Sequence, residues 1–317
     1  MIFYVILLVF GVFACSTAAI WIKQSAMHPV LLAGVRQLIA AALLLPIFLR
    51  QWKQHRAVYT GRHLLRTILP GALLGVHFVT WIIGIRLAQT ANGSLIVNMV
   101  PIVMPFLLVW LMDERLTRGE GIGTAVALAG VSILFVADYH LDWEHFQGDL
   151  LCFGSMLLFA GYLALGRRNR DFPAIWLYLV PLYFWGGLIC VAAWPVSLAT
   201  GIAAPAPLGA EARFSLDPTL WDWLMALGLG VVPTIMGHSV LNFSMKHLRG
   251  QMVSIANLGQ FIFAGILAYF LLSEVPAWTF YPAAAFMVTG AVIALRATPP
   301  PAGPLQQDAS AGETRTP

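Results

Sequence analysis

One stretch, residues 87–117, most constrains what this chain can fold into. Its apolar part, residues 91–112, is long enough to cross a bilayer as a helix, since about 20 residues with a rise of about 1.5 Å each span the hydrocarbon. Pro101 and Pro105 inside it each remove a backbone N–H and leave a carbonyl that lipid cannot satisfy. The stretch therefore predicts a helix that bends at these prolines and faces the inside of a bundle.

A second copy of this pattern lies downstream. Glu114 is followed 160 residues later by Glu274, and Gly130 by Gly290 at the same distance. Residues 248–274 again form an apolar stretch that contains polar residues and ends in Glu. Duplicated halves with interrupted helices at matching positions are typical of transporters, whose site lies where the repeats meet.

The composition excludes a soluble protein. The 317 residues are 59% hydrophobic and 10% charged, whereas soluble domains are about 45–50% apolar and about 25% charged. At about 20 residues per crossing, the chain has room for about ten spans. The net charge of +4 does not indicate a nucleic-acid partner, because the basic residues are scattered over short connections, as orientation in a bilayer requires.

Ten apolar stretches, each bounded by charge, Pro or Gly, predict an all-α integral membrane protein with ten transmembrane helices. Five fall in residues 1–140 and five in residues 148–296, which we interpret as two repeats. Residues 297–317 are rich in Pro, Ala, Gly and polar residues, and we expect them to form a disordered cytoplasmic tail. The stretches are residues 2–22, 30–49, 66–85, 91–111 and 119–137, then 148–166, 174–194, 220–245, 250–272 and 277–295.

The basic residues predict the orientation. With the N-terminus inside, 14 Lys and Arg fall on the cytoplasmic side and three on the outer side, while Arg36 lies within a span. The positive-inside rule then predicts that both termini are cytoplasmic and that the acidic connection 138–149 lies outside. We expect a multi-pass protein of the plasma membrane, the inner membrane of a bacterium. Because five is odd, the second half enters the membrane the opposite way, and the repeat is inverted.

Three features together resemble a known family: ten spans in two inverted halves, an interrupted span that closes in Asp-Glu-Arg-Leu-Thr at residues 113–117, and a Gly-rich span after it. They are similar to the EamA-type members of the drug/metabolite transporter superfamily. The resemblance covers residues 2–295, and Arg36 and Glu114 fit the family pattern. It implies a basket-like cavity lined by helices of both halves and, as in many bacterial members, export of amino acids or other small metabolites.

The ninth stretch departs from the pattern. Phe261 stands where the first half has Pro101. A bend in this helix is therefore expected at Gly259 or Gly265 instead, since glycine is another common cause of kinks.

Polar groups at mid-membrane depth are costly and are the default candidates for a substrate site. His77 and His238, 161 residues apart, would face one cavity from matching depths, with Trp81 and Asn242 beside them at the same separation. The alternative is that each histidine bonds a neighbouring backbone carbonyl and holds helices together. The candidate substrate-binding residues are His77, Trp81, Asn98, His238, Asn242, Asn257, Gln260, Arg36 and Tyr162.

Several of these candidates also have structural interpretations. Asn98, Asn257 and Gln260 can bind a polar substrate or satisfy carbonyls freed by helix breaks. Tyr162 can close the cytoplasmic side or anchor in the membrane interface. Arg36 can snorkel outward, form a structural pair or contact an anion.

Missing residue types narrow the function. No Asp or Glu lies at the centre of a span, so an antiporter of cationic drugs and protons has no carboxylate to use, and no lysine lies in the core to bind anionic sugar phosphates. We expect an exporter of small neutral or zwitterionic metabolites such as amino acids, which works by alternating access, with the histidines as its pH-sensitive groups. A multidrug or toxic-compound efflux transporter is the alternative, and an intramembrane enzyme or a structural membrane protein is a remote one.

The sequence lacks the motifs that would indicate catalysis. The three cysteines lie in apolar stretches without C-x-x-C spacing, and no H-E-x-x-H occurs. We therefore expect no enzyme, catalytic residue, cofactor or metal. The expected partners are the substrate and the bilayer. The Gly71/Gly75 and Gly119/Gly123 pairs favour packing inside one bundle over homodimerisation, so the protein is expected to be a monomer or a homodimer.

Overall fold

The computed structural model describes residues 2–112, 117–169, 171–200, 217–247 and 256–297. Helices dominate these ranges. In the first half they are α1 (Ile2–Ser16), α2 (Ala18–Lys23), α3 (Pro29–His55), α4 (Gly61–Leu65), α5 (Ile68–Leu87), α6 (Thr90–Val97), α7 (Val100–Met112) and α8 (Arg118–Leu141). In the second half they are α9 (Trp143–Arg168), α10 (Trp176–Thr200), α11 (Leu220–Leu229), a π-helix (Gly230–Ser239), α12 (Val240–His247), α13 (Gln260–Leu272) and α14 (Phe280–Ala297).

Within the described ranges, eight helical segments are long and apolar enough to cross a membrane, and two shorter apolar helices, Ala256–Leu272 and Phe280–Ala294, follow them. Large apolar side chains such as Trp110, Phe270 and Trp278 point outward and are exposed. Such a surface is stable against lipid and not against water. The protein is therefore an all-α, multi-pass membrane protein, as the sequence predicts.

Glycines let the helices approach closely. A Cβ on Gly123 of α8 would lie 2.5 Å from the carbonyl oxygen of Gly290 of α14, and one on Gly71 of α5 would lie 2.7 Å from that of Leu182 of α10. Real side chains do not tolerate such distances, so these positions require glycine. The expected packing of glycines inside one bundle is confirmed at Gly71 and Gly123.

The fourth span is interrupted, but not at the expected residue. α6 ends at Val97, Asn98 and Met99 form the break, and α7 begins at Val100. Pro101 thus lies in the first turn of a new helix, where its missing N–H is tolerated. Pro105 remains inside α7. The bend predicted at the prolines therefore occurs one turn earlier than Pro101 and splits the span in two.

The ninth span, helical from Ala256 to Leu272, is interrupted at one residue, Gly259. α13 begins at Gln260, directly after Gly259. Of the two expected positions, Gly259 is the one used.

The eighth span contains a π-helix that the sequence analysis did not predict. Gly230–Ser239 separates α11 from α12 and includes Pro233. Because proline cannot donate the i to i−4 bond, the Leu229 carbonyl oxygen is left without it. That oxygen instead accepts from the Thr234 hydroxyl at 2.8 Å, and the helix widens around this exchange.

The acidic connection expected at residues 138–149 is almost entirely helical, which corrects the sequence analysis. α8 continues to Leu141, α9 begins at Trp143, and Asp142 alone links them. Asp138 and Asp149 are consequently buried rather than exposed in a loop. The carboxylate of Asp142 caps α9 by accepting from the backbone N–H groups of Glu144 and His145.

Several sequence expectations lie outside the described residues. They are Glu114 with its motif at 113–116, the start of the ninth span at 248–255, part of the outer loop at 201–216, and the tail from residue 298.

Candidate functional site

A cavity of about 30 Å³ lies at the centre of the bundle, between spans of both halves. That volume holds about two water molecules and no larger solute. The site is therefore too small for a metabolite in this structure. Six of the nine predicted substrate-binding residues line it: Arg36, His77, Trp81, Asn98, His238 and Gln260.

Arg36 is a buried charge at the wall of this cavity. Its side chain is 0% exposed, which excludes the expected snorkelling to the membrane surface. The guanidinium donates through Nε and Nη2 to the Thr234 hydroxyl at 3.1 and 2.9 Å and lies 3.9 Å from the centre of the Phe78 ring. Among the described residues, Nη1 has no hydrogen-bond partner and no ion pair includes this residue. One arm of a buried cation is therefore available to a ligand.

Thr234 and Phe78 were missed by the sequence analysis. Pro233 leaves the Leu229 carbonyl oxygen free to accept a hydrogen bond from the Thr234 hydroxyl. Because the hydroxyl hydrogen is used in that bond, the lone pairs of the hydroxyl oxygen remain to accept from the Arg36 guanidinium. The Pro-Thr step inside an apolar stretch was the available signal. Nothing in the sequence marked Phe78 as a site residue, because an aromatic residue in a span usually belongs to the hydrophobic core.

His77 both holds helices together and faces the cavity. Its Nδ1 lies 2.9 Å from the Ser155 carbonyl oxygen, and the Ser155 hydroxyl donates to the His77 carbonyl oxygen at 2.9 Å. Because a carbonyl only accepts, this contact assigns the hydrogen to Nδ1 and leaves Nε2 as an acceptor. The structural alternative for His77 is thus correct, and its other nitrogen remains usable.

Aromatic rings complete the wall around the two histidines. The Phe159 ring stacks on His77 with centroids 4.7 Å apart and meets His238 edge to face at 5.6 Å. Phe78 contacts His238 in the same way at 5.4 Å. Trp81 adds a third apolar surface. Both histidines therefore face one cavity, as expected, with aromatic rings between them.

An amide chain crosses from the ninth span to the fourth. Gln260 donates to the Asn257 side-chain oxygen, Asn257 donates to the Asn98 side-chain oxygen at 3.0 Å, and Asn98 donates to the Ser94 carbonyl at 2.8 Å. The chain satisfies a carbonyl at the end of α6, which is the structural role anticipated for these amides. Asn257 does not line the cavity, whereas Gln260 and Asn98 do.

Tyr162 and Asn242 lie apart from the cavity. Asn242 donates to the Tyr162 hydroxyl at 2.9 Å and to the His238 carbonyl at 2.8 Å. The Tyr162 side chain is 0% exposed. It is therefore neither an interface anchor nor a residue at the cytoplasmic surface, because its hydroxyl is used to join the sixth and eighth spans.

An ionic contact joins several spans at one end of the bundle. Lys23 Nζ lies 2.6 Å from Glu274 Oε1 and donates to the Ala88 carbonyl at 2.9 Å, while Glu274 Oε2 accepts from the Thr90 backbone N–H at 2.7 Å. We call Lys23, Glu274, Ala88 and Thr90 the Lys23–Glu274 latch. It ties together the ends of the first, third, fourth and ninth spans, and the negative charge also suits the N-terminus of α6.

Comparisons with known proteins agree on one kind of molecule. Residues 2–136 match the EamA-like transporter family. The chain is 26% identical over 232 residues to an uncharacterized transporter of Archaeoglobus fulgidus, which covers 73% of this chain and 77% of the relative. It is 21% identical over 232 residues to the aromatic amino acid exporter YddG of Ancylobacter novellus, covering 71% and 73% of the two chains.

A solved crystal structure shares the fold. Its chain superposes with a TM-score of 0.61 at 19% identity, and the match covers 93% of this chain and 98% of the other. At that identity the likeness concerns the fold alone.

Proposed function

Because this chain is an EamA-type member of the drug/metabolite transporter superfamily, we propose that it exports small zwitterionic metabolites, amino acids foremost, across the plasma membrane of a bacterium by alternating access. The single observation that carries the proposal is the free Nη1 of Arg36 at the wall of a central cavity. A buried guanidinium without a carboxylate partner is costly, and a substrate carboxylate would supply that partner.

The rest of the wall fits the other parts of such a substrate. The Nε2 acceptor of His77 suits an ammonium group, and the faces of Phe78, Trp81 and Phe159 suit an apolar or aromatic side chain. The name of the exporter from Ancylobacter novellus supports the same class of substrate. A cationic drug would meet Arg36 instead of a carboxylate, which disfavours the multidrug alternative.

We infer that the two halves are inverted repeats of five spans each, with ten spans in all. A shift of 160 residues carries Gly130 to Gly290 and Gly123 to Ala283. A Cβ on Gly130 would lie 2.7 Å from the Ala283 carbonyl oxygen, just as one on Gly123 would lie 2.5 Å from that of Gly290. The 160-residue shift thus turns the contact of Gly123 with Gly290 into the contact of Ala283 with Gly130. This correspondence between α8 and α14 supports the repeat.

The pairing of helices supports the repeat as well. The third span packs on the sixth through α5 and α9, and the first packs on the eighth through α1 and the π-helix. A pseudo-two-fold axis that relates spans five apart would turn one of these pairs into the other.

Alternating access requires that one end be closed while the other opens. With both termini cytoplasmic, the Lys23–Glu274 latch closes the outer end, and the repeat relates Glu274 to Glu114 at the inner end. A cavity that holds about two waters would then widen when either end opens.

Reconstitution tests the proposal. Purified protein in proteoliposomes loaded with radiolabelled phenylalanine should show counterflow that other apolar amino acids inhibit, whereas amino-acid amides, which lack the carboxylate, should inhibit poorly. Arg36→Gln should weaken inhibition by the acids about 10- to 100-fold, the value of a charged hydrogen bond, and leave the amides unaffected.

Arg296→Gln, a change at an exposed residue of α14, is the matched control and should transport like the wild type. Equal inhibition by acids and amides in the wild type would overturn the role of Arg36. Absence of counterflow with every amino acid would overturn the substrate class.

A further inference from the structure

Two buried carboxyl groups face each other at the junction of the two halves. The Asp149 side chain in α9 is 0% exposed and that of Asp138 in α8 is 6% exposed. The two groups lie within hydrogen-bonding reach of each other. Asn92 of α6 donates to Asp138 Oδ2 at 3.2 Å. Three spans therefore meet at an acidic pair that the transport site does not use.

This pair lacks the donors that two carboxylates need. Among the described residues, none donates to either oxygen of Asp149, and the side-chain oxygen of Asn92 has no partner either. Two ionised carboxylates this close, both buried, repel each other and leave only acceptors facing acceptors. A hydrogen on one carboxyl turns that contact into an O–H···O hydrogen bond.

Charged side chains from the neighbouring helices are engaged elsewhere. Lys23 is bound to Glu274 and to the Ala88 carbonyl. Arg86, at the end of α5, donates to the backbone carbonyls of Ser25 and Met27.

The other titratable groups nearby do not neutralise the pair. His140, the histidine in the last turn of α8, is exposed. α7 carries no charged residue, and Cys152 is the thiol one turn further along α9. Within the described ranges no three His, Cys, Asp or Glu side chains form a group that could hold a metal ion. A proton is therefore the ligand that this chemistry favours.

We propose that Asp138 and Asp149 form a proton-binding site. Asp149, whose oxygens have no other donor, carries the proton and donates it in a hydrogen bond to Asp138 while the Lys23–Glu274 latch is closed. When that end opens to water, the proton passes from the carboxyl to water and leaves two hydrated carboxylates. The site is a second candidate for a pH-sensitive group, beside the histidines named in the sequence analysis.

The coupling of this proton to transport rests on the proposed function, whereas the site itself does not. If the end with the latch is the outer one, transport responds to the outer pH through Asp138 and Asp149. Alkaline medium then favours the open, deprotonated state.

Infrared difference spectroscopy of the purified protein in lipid nanodiscs tests the site directly. With aspartate carboxyl carbons labelled with ¹³C, the wild type at neutral pH should show the carbonyl band of a protonated, buried carboxylic acid. The band should shift in D₂O and disappear as the pH is raised. Asp149→Asn should abolish it, and Asp171→Asn, a change at an exposed residue, should not.

The wild-type spectrum alone decides the question if Asp149→Asn fails to fold. Absence of a protonated aspartate band at neutral pH overturns the proposal, and so does a band that Asp149→Asn leaves in place. A spectrum of two ionised carboxylates that changes when sodium replaces choline would assign the site to a monovalent cation and also overturn it.

Counterflow in proteoliposomes tests the coupling separately. Wild-type transport should change with the outer pH, and Asp149→Asn should flatten that dependence. An equally steep dependence in Asp149→Asn overturns the coupling. Because the spectra need no substrate, a failure of the transport proposal leaves the result on the proton site unaffected.

Discussion

Asn98 and Asn257 are 159 residues apart in the chain, yet the amide of Asn257 donates directly to the side-chain oxygen of Asn98 at 3.0 Å. Each stands at the break in its own span, since α6 ends before Asn98 and Asn257 lies just before Gly259. The bond therefore joins the two interrupted helices at their weakest points. In the proposed repeat, these two residues hold nearly equivalent positions.

This bond predicts a specific energetic coupling. Asn98→Ala and Asn257→Ala should each destabilise the protein, and the double variant should cost less than the sum, with a coupling of about 1 kcal/mol. Unfolding in detergent micelles measures it. Asn242→Ala combined with Asn98→Ala is the control and should be additive; additive effects in the main pair would refute a shared bond.

Close packing of α8 on α14 predicts opposite results for two glycines of one helix. Gly123→Ala should destabilise by about 1–3 kcal/mol, because its Cβ would lie 2.5 Å from backbone atoms of Gly290 and Ala294. Gly121→Ala should be neutral or slightly stabilising, since nothing lies within 4 Å of its Cβ and alanine favours the helix. Thermal unfolding of both variants checks the contrast, which fails if they behave alike.

The Thr234 hydroxyl predicts a distinction between two conservative changes. Thr234→Val should weaken substrate binding and lower stability by about 1–3 kcal/mol, because Arg36 loses the acceptor of two hydrogen bonds. Thr234→Ser should retain most of both properties. Substrate inhibition of counterflow and thermal unfolding measure the two effects, and a wild-type result for Thr234→Val would show that Arg36 is held otherwise.

The Lys23–Glu274 latch predicts that its loss opens one end of the cavity. Cys15 lines the cavity, so in a background without Cys152 and Cys190 its modification by a membrane-impermeant thiol reagent reports access. Glu274→Gln should accelerate that modification from the outside of sealed vesicles, because the ionic contact with Lys23 is removed. Asp171→Asn should leave the rate unchanged, and an unchanged rate in Glu274→Gln would remove the latch from the gating step.

A surface ion pair predicts a small pH dependence of stability. The Arg66 side chain, by hydrogen-bonding to Asp171, lowers the pKa of that carboxyl below its usual value. The contribution of this ion pair to the free energy of unfolding is therefore fully present above the ordinary pKa of aspartate. It is lost as the pH falls through the lowered pKa of Asp171. Being exposed, the pair should contribute less than about 1 kcal/mol. Acid unfolding of Asp171→Asn should differ from the wild type only above that range.

The sequence predicted an all-helical membrane protein and six of the residues that line the cavity, because hydrophobic length and costly polar residues are local properties of the chain. It could not predict the Arg36–Thr234 contact, which joins residues 198 apart. Asp138 and Asp149 were assigned to an exposed loop because charge usually marks a connection. The connection is instead one residue long, Asp142, so Asp138 and Asp149 lie inside helices, where they are buried.

The one-residue link at Asp142 also has a mechanical consequence. Its carboxylate holds the first turn of α9, and its N–H is held by Asp138 at 2.7 Å, so both sides of the link are fastened to a rigid helix. Two helices linked by a single residue can change the angle between them at that residue but cannot slide past each other. In the proposed alternating access, the adjoining ends of α8 and α9 therefore move together, and any change of the angle between these two helices displaces their other ends, at the opposite face of the membrane, the most.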